Sequence, residues 1–227
     1  MKTIKRFFLI ILVIVLAVAG FFIKRGYDKY IDAVTAVPLD AAVAAIRDKE
    51  HYTIYTDIPE IYFKAVVAVE DRRFYYHWGF DVIGMARAAY NDIKARKMIE
   101  GGSTVTQQLV KNMYFMYDNS VERKIAELIM AVRLERLYSK QDILELYVNG
   151  IFYGDDYYCI YDAAVGYFNK EPWEMTPYEC TLLAGIPNAP SIYSLHINPE
   201  LAYKRQNKVV KSMVECGYIK DESEIYN

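Results

Sequence analysis

The sequence lacks most of the motifs by which common hydrolases are recognised. Its three cysteines, Cys159, Cys180 and Cys216, form no C-x-x-C pair, so zinc-site spacing is missing and at most one disulfide can form. There is no G-x-S-x-G, no H-E-x-x-H and no Walker-type loop, which removes the serine, zinc and phosphate-loop chemistries those motifs serve. Net charge is −2 with 25% charged residues, so no global basic field invites nucleic acid. Internal repeats and low-complexity tracts are absent and strand signals are few. What remains is a mainly α chain.

One long apolar run is present. Phe7 to Ile23, "FFLIILVIVLAVAGFFI", holds 17 residues without a charge behind Lys2, Lys5 and Arg6. At ~1.5 Å per residue it reaches roughly 25 Å, near the lower limit for a membrane-crossing helix. Ala17-Val18-Ala19 also fits a signal-peptide cleavage site, but the run continues through Phe21, Phe22 and Ile23, which favours a retained anchor. Lys24, Arg25 and Lys29 follow the span, so the positive-inside rule barely chooses an orientation. The expected division is a cytoplasmic tail at 1–6, an anchor at 7–23, a stem at 24–58 and the main domain at 59–227. The 22 tyrosines suit sugar stacking or a membrane interface, though core and rim packing accounts for most of them.

Along the stem, "DAAVAAIRD" (Asp40 to Asp48) reads as a short helix. "HYTIYTDIP" alternates as a strand does before Pro59. Helical periodicity then dominates: Val82 to Lys97, Val121 to Tyr138, Lys140 to Val148, Pro177 to Ala184 and Pro199 to Cys216. Ser139 with Asp142 three residues on forms a capping pattern.

Three constellations carry chemistry. In "AVVAVEDRRFYYHWGFD" an apolar run delivers Glu70 and Asp71 beside Arg72, Phe74 and His77. A carboxylate ending a buried segment is a candidate general base, unless it simply pairs with Arg72 or Arg73 at the surface. In "EGGSTVTQQLVKN" a glycine turn leads to a capping box, Thr104 with Gln107. Helical spacing then lines up Thr104, Gln107, Gln108 and Lys111. A helix start offers N–H groups and a positive dipole end to phosphate; an ordinary capped surface helix is the alternative. In "ERKIAELIMAVRLE", Glu127 sits between Arg123 and Lys124 and an apolar face, either as an i, i+4 surface pair or as a carboxylate beside a cationic patch. Two carboxylates with cations between them suggest acid–base work on a glycosyl phosphate.

These stretches together resemble the peptidoglycan glycosyltransferases of family 51 in their monofunctional, membrane-anchored form. "EDRRFYYHWGFD", "GGSTVTQQLVKN", "RKIAE" and "KQDILELYVNGIFYG" are similar to the family's four ordered motifs, and "LAGIPNAPSIYS" and "NPELAYKRQNKVVKSM" to its C-terminal segment. The resemblance spans about Pro59 to Met213. It implies a two-lobed, lysozyme-like helical fold behind a single transmembrane helix, with no transpeptidase domain following. The implied function is processive polymerisation of lipid II, on the extracytoplasmic side of a bacterial cell membrane, with release of polyprenyl diphosphate and inversion to a β-1,4 bond. Glu70 is implied as general base, with Glu127 assisting at the donor diphosphate directly or through a divalent cation such as Mg2+; no tightly bound cofactor is implied. Lys111, Arg123 and Lys124 are implied to neutralise the leaving group. Ser103, Thr104, Gln107, Gln108 and Asn112 are implied to line the cleft, with Asp71, Phe74 and His77 also substrate-binding. Implied partners are lipid II, the growing glycan, membrane lipid and other cell-wall synthesis proteins, and no nucleic acid. Val82 to Lys97 is expected either to dip into the outer leaflet or to face the core.

Two stretches depart from the family pattern: Asp118-Asn119-Ser120 lacks a basic residue common before the third motif, and "GDDYYCIYDAAVGYF" is unusually acidic and Tyr-rich. Two other readings stay open, a lysozyme-like glycan-cleaving enzyme and a catalytically silent membrane-tethered scaffold. A cleaving enzyme meets no diphosphate, and a silent scaffold is expected to lose one of the carboxylates.

Overall fold

The structure, a computed structural model, describes residues 2–95 and 101–226. Arg96 and Lys97, which close the expected helix Val82 to Lys97, lie outside the described residues, as do Met1 of the tail and Glu100. The helices run α1 (Lys2–Ala36), α2 (Leu39–Arg47), α3 (Glu60–Glu70), α4 (Val82–Ala95), α5 (Val105–Tyr114) and α6 (Val121–Leu137). They continue as α7 (Lys140–Gly150), α8 (Ile160–Phe168), α9 (Pro177–Gly185), α10 (Pro190–Tyr193), α11 (Pro199–Glu215) and α12 (Ser223–Tyr226). The expected helical class holds.

Packing sorts these helices into two groups around a shared core. α3, α9 and α11 pack on one another, while α5 packs on α6 and α7. α3 is apolar over most of its surface, burying Tyr62, Phe63 and Ala65 to Ala68 and leaving Glu60 and Lys64 paired on its outer side. Local signals set where the elements start. Thr104 and Gln107 close the capping box of α5, and Ser139 and Asp142 that of α7, each as its spacing predicts.

The strand expected at 51–58 is not formed; among the described residues there is no strand. The reason is a competing partner. Thr53 N–H donates to Asn149 Oδ1 (2.9 Å), Asn149 Nδ2 returns a bond to Thr53 O (2.8 Å), and Tyr55 N–H donates to Glu145 Oε2 (2.6 Å). Side chains of α7 satisfy the groups a second strand would otherwise take. The chain therefore passes through a 3₁₀ turn at Tyr55–Asp57.

Residues 24–58 are structured against the domain along much of their length. α1 is unbroken and is long and apolar enough to cross a membrane; its apolar half is exposed. Its second half lies along α6. A Cβ on Gly26 would fall 2.5 Å from Ile125 Cβ and 3.1 Å from Glu122 O, so glycine is what lets the two helices approach. Around that contact Arg25 Nε meets Glu122 Oε1 at 3.1 Å, Lys29 pairs with Asp118, and Arg133 Nη1 donates to Tyr30 OH at 2.8 Å. α2 buries Leu39, Val43 and Ile46 and packs on α7.

α4 differs from a core-facing helix. Val82, Ile83, Tyr90 and Ile93 are exposed and only Ala88 is buried among its described side chains. The core-facing alternative is thereby set aside.

Gly79 holds the loop before α4 onto α6. Its φ is +89°, and a Cβ there would lie 2.6 Å from Val132 N and 2.7 Å from Ala131 C, both backbone atoms. Strain and clash coincide. Gly79→Ala is expected to cost at least ~2 kcal/mol, lowering Tm by about 4–8 °C in thermal unfolding of the detergent-solubilised protein. Gly101→Ala, where nothing lies within 4 Å of an added Cβ, is the control; equal Tm values for the two variants would contradict the close approach.

Candidate active site

A cleft of about 1110 Å³ opens between the two helix groups. α3 contributes Glu70, α5 contributes Gln107, Gln108, Lys111 and Asn112, α6 contributes Arg123, Lys124 and Glu127, and Ser103 comes from the turn before α5. Nine lining side chains are Lys or Arg and three are Glu, so the cleft seeks anions.

Glu70 is the last residue of α3, and its side chain is 6% exposed. Oε1 accepts from Arg205 Nη2 at 2.7 Å and Oε2 accepts from Gln108 Nε2 at 2.7 Å. Tyr147 OH donates to Gln108 Oε1 at 3.1 Å behind it. Glu127 is 1% exposed on α6. Arg123 pairs with its Oε1, and Lys124 Nζ stands 3.3 Å from Oε2 while donating to Ser103 Oγ at 2.7 Å. Burial pulls the Lys124 ammonium below its ordinary pKa, with Glu127 opposing. Two buried donors on the cleft wall, Arg123 Nε and Gln107 Nε2, have no acceptor among the described residues. Buried donors of this kind are costly to leave unpaired.

Asp71, Phe74, His77 and Thr104, expected along the substrate path, stand behind the cleft wall. Asp71 is matched by His77 and a backbone N–H and Thr104 by backbone groups, while His77 Nδ1 has no hydrogen-bond partner among the described residues. Asp71 is buried; His77 Nε2 lies 2.9 and 3.0 Å from its two oxygens, and Val105 N–H donates to Oδ2 at 3.0 Å. Thr104 Oγ1 donates to Gly79 O (2.8 Å) and accepts from Gln107 N–H (3.1 Å). Phe74 is fully buried beneath Lys140 Nζ, 4.3 Å from the ring centroid. The expected offer of free N–H groups at the start of α5 is therefore corrected: Asp71 and Thr104 take two of them. The cations of α5 and α6 remain for an anion.

Sequence reasoning missed Arg205, Tyr147 and the α11 stripe of Lys204, Lys208 and Lys211. The stripe recurs at helical spacing and was readable. Arg205 meets Glu70 across 135 positions, and no local pattern announces that. The two departures from the family pattern lie away from the cleft lining. Asp118 turns to α1, where Lys29 and then Ser120 hold its carboxyl well below the usual range. Asp155 and Asp156 adopt φ of 48° and 63°, and Asp155 Oδ2 accepts from Ser194 Oγ at 2.6 Å. Among the described residues no group of three His, Cys, Asp or Glu is placed to hold a metal. Both Glu127 oxygens already face cations, so the side chains present do not fit a resident divalent ion.

A family model described as "Transglycosylase" matches residues 40–214. Penicillin-binding protein 1A of Aquifex aeolicus is 42% identical over 174 residues, covering 77% of this chain and 24% of that protein. Penicillin-binding protein 1A of Neisseria lactamica is 43% identical over 169 residues, 74% of this chain and 21% of that protein. The chain thus spans about a quarter or less of the length of the curated relatives it matches.

Asp71 joins the ends of two helices, so its loss is a matter of stability first. Asp71→Ala strands His77 Nε2 and the Val105 N–H, and is expected to cost about 2–4 kcal/mol, lowering the urea midpoint with little change in m-value. An unchanged midpoint would return Asp71 to the substrate side.

Proposed function

This chain belongs to the transglycosylase family of peptidoglycan glycosyltransferases, and from that premise we propose that its cleft polymerises lipid II into β-1,4-linked glycan. The donor is a growing strand whose terminal sugar hangs on a polyprenyl diphosphate, and the acceptor is lipid II. Glu70 takes the proton of the acceptor 4-hydroxyl as general base. That oxygen bonds to the donor anomeric carbon from the face opposite the diphosphate. The anomeric carbon–oxygen bond breaks, its electron pair leaves with the polyprenyl diphosphate, and the configuration inverts from α to β.

Lys111, Arg123 and Lys124 meet the charge that grows on the leaving diphosphate; fixed cations do so without reorganising. Glu127 holds Arg123 and Lys124 in place for that task. Ser103, Gln107, Gln108 and Asn112 bond sugar hydroxyls. The observation that carries the reading is a cleft wall with nine cations against three carboxylates. A glycan-cleaving enzyme has no use for that excess.

The apolar helix supports a single-pass membrane anchor at 7–23 with a stem at 24–58, the catalytic domain at 59–227 standing on the extracytoplasmic side. The exposed apolar face of α4 suits the outer leaflet, where a lipid-tailed substrate is met.

Purified protein in detergent is expected to convert labelled lipid II into long glycan, and Glu70→Gln to slow this at least about a hundredfold while lipid II still binds. Shortening of finished glycan with no use of lipid II would replace this reading with cleavage. Equal rates for Glu70→Gln and the native protein would remove Glu70 as base.

A further inference from the structure

Behind Glu70 stands a side chain that the proposed reaction does not use. Tyr147 on α7 is fully buried, and its hydroxyl donates to Gln108 Oε1 at 3.1 Å. Gln108 passes the contact on, Nε2 donating to Glu70 Oε2 at 2.7 Å, while Arg205 holds Oε1. A glutamine amide has two nearly isosteric orientations, one presenting NH₂ and the other a carbonyl oxygen to the same neighbour. Toward a carboxylate only the first is attractive; the second sets oxygen against oxygen. The carboxylate selects the first, and the Tyr147 hydroxyl, donating to Oε1, locks it by engaging the oxygen on the far side.

Burial is the largest cause that pushes Tyr147 well above its ordinary pKa, so the hydroxyl keeps its proton and stays a donor. Asn112 Nδ2 bonds the backbone oxygen of Gln108 and leaves the amide alone. The orientation of the amide thus depends on Tyr147 and Glu70.

We propose that Tyr147 is a positioning residue whose hydroxyl fixes the Gln108 amide with Nε2 toward Glu70, so that the carboxylate is held in one place and one rotamer. Its effect on turnover rests on Glu70 being the base of the proposed polymerisation; its effect on the amide rests on geometry alone.

Two readouts separate those layers in full-length protein in detergent micelles. In ¹⁵N-glutamine-labelled protein, the Gln108 side-chain amide is assigned by its disappearance in Gln108→Leu. One of its protons is expected downfield of free glutamine, and to return toward that position in Tyr147→Phe, which keeps the ring and removes only the hydroxyl. With lipid II as substrate, Tyr147→Phe is expected to lower kcat about tenfold with KM within about twofold. The double variant Tyr147→Phe/Gln108→Leu is expected to be no slower than Gln108→Leu, because Tyr147 acts only through Gln108. An unmoved amide signal, or losses that multiply in the double variant, would overturn the proposal. If the native protein makes no glycan, the polymerisation reading falls, and the amide signal alone decides the role of Tyr147.

Discussion

A buried carboxylate is costly unless its oxygens are matched by donors, and Asp71 meets that condition by tying two helix ends together. It follows directly on the last residue of α3, and it receives the first N–H of α5 and the ring of His77. The end of one helix is thereby fixed against the start of the other. Glu70, one residue earlier, has no choice but to face the second turn of α5, where Gln108 waits. His77 carries the constraint onward, its Nδ1 3.8 Å from Glu135 Oε1, and Glu135 is held by Thr106 and Lys140. One polar layer under the cleft floor thus links α3, α5, α6 and α7.

Above that layer the electrostatics follow a different rule. Below the wall each charge is matched nearly one for one; on the wall cations exceed carboxylates threefold. The three wall carboxylates are themselves held by Arg or Lys: Glu70 by Arg205, Glu127 by Arg123 and Lys124, and Glu215 by Arg72. The excess of cations over carboxylates on the wall gives the cleft a positive field that favours an anionic ligand. In a partly desolvated cleft such a field is stronger than on an open surface.

The sequence was legible where chemistry is local. Capping boxes at Thr104 and Ser139, the 3.6-residue period of α6 and the clustering of Arg123, Lys124 and Glu127 are all relations within a helical turn or two, and the structure reproduces them. It was misleading where a partner lay far away in the chain. Residues 51–58 alternate as a strand does, but their hydrogen bonds go to Glu145 and Asn149, about 90 positions on. Asp71, Phe74, His77 and Thr104 share motifs with cleft residues, and motif membership cannot tell which side of a backbone faces the ligand. Arg205 and Tyr147 were invisible for the same reason: each acts on Glu70 or Gln108 from a helix that only the fold brings near.

The unbroken course of α1 turns a matter of length into one of compass bearing. Its 35 residues make a rod of about 52 Å, with no hinge between the apolar run that ends at Ile23 and the Gly26 contact with α6. The apolar run and the contact with α6 therefore belong to one continuous helix. Gly26 stands only ~4.5 Å along the axis from Ile23, so the start of α6, with its two cations, is held roughly one turn above the end of the apolar run. Each residue added to or taken from the rod between those points would raise or lower the cleft by ~1.5 Å and also rotate its mouth by about 100° around the helix axis. Depth and heading are geared together, and the count of residues between Ile23 and Gly26 sets both.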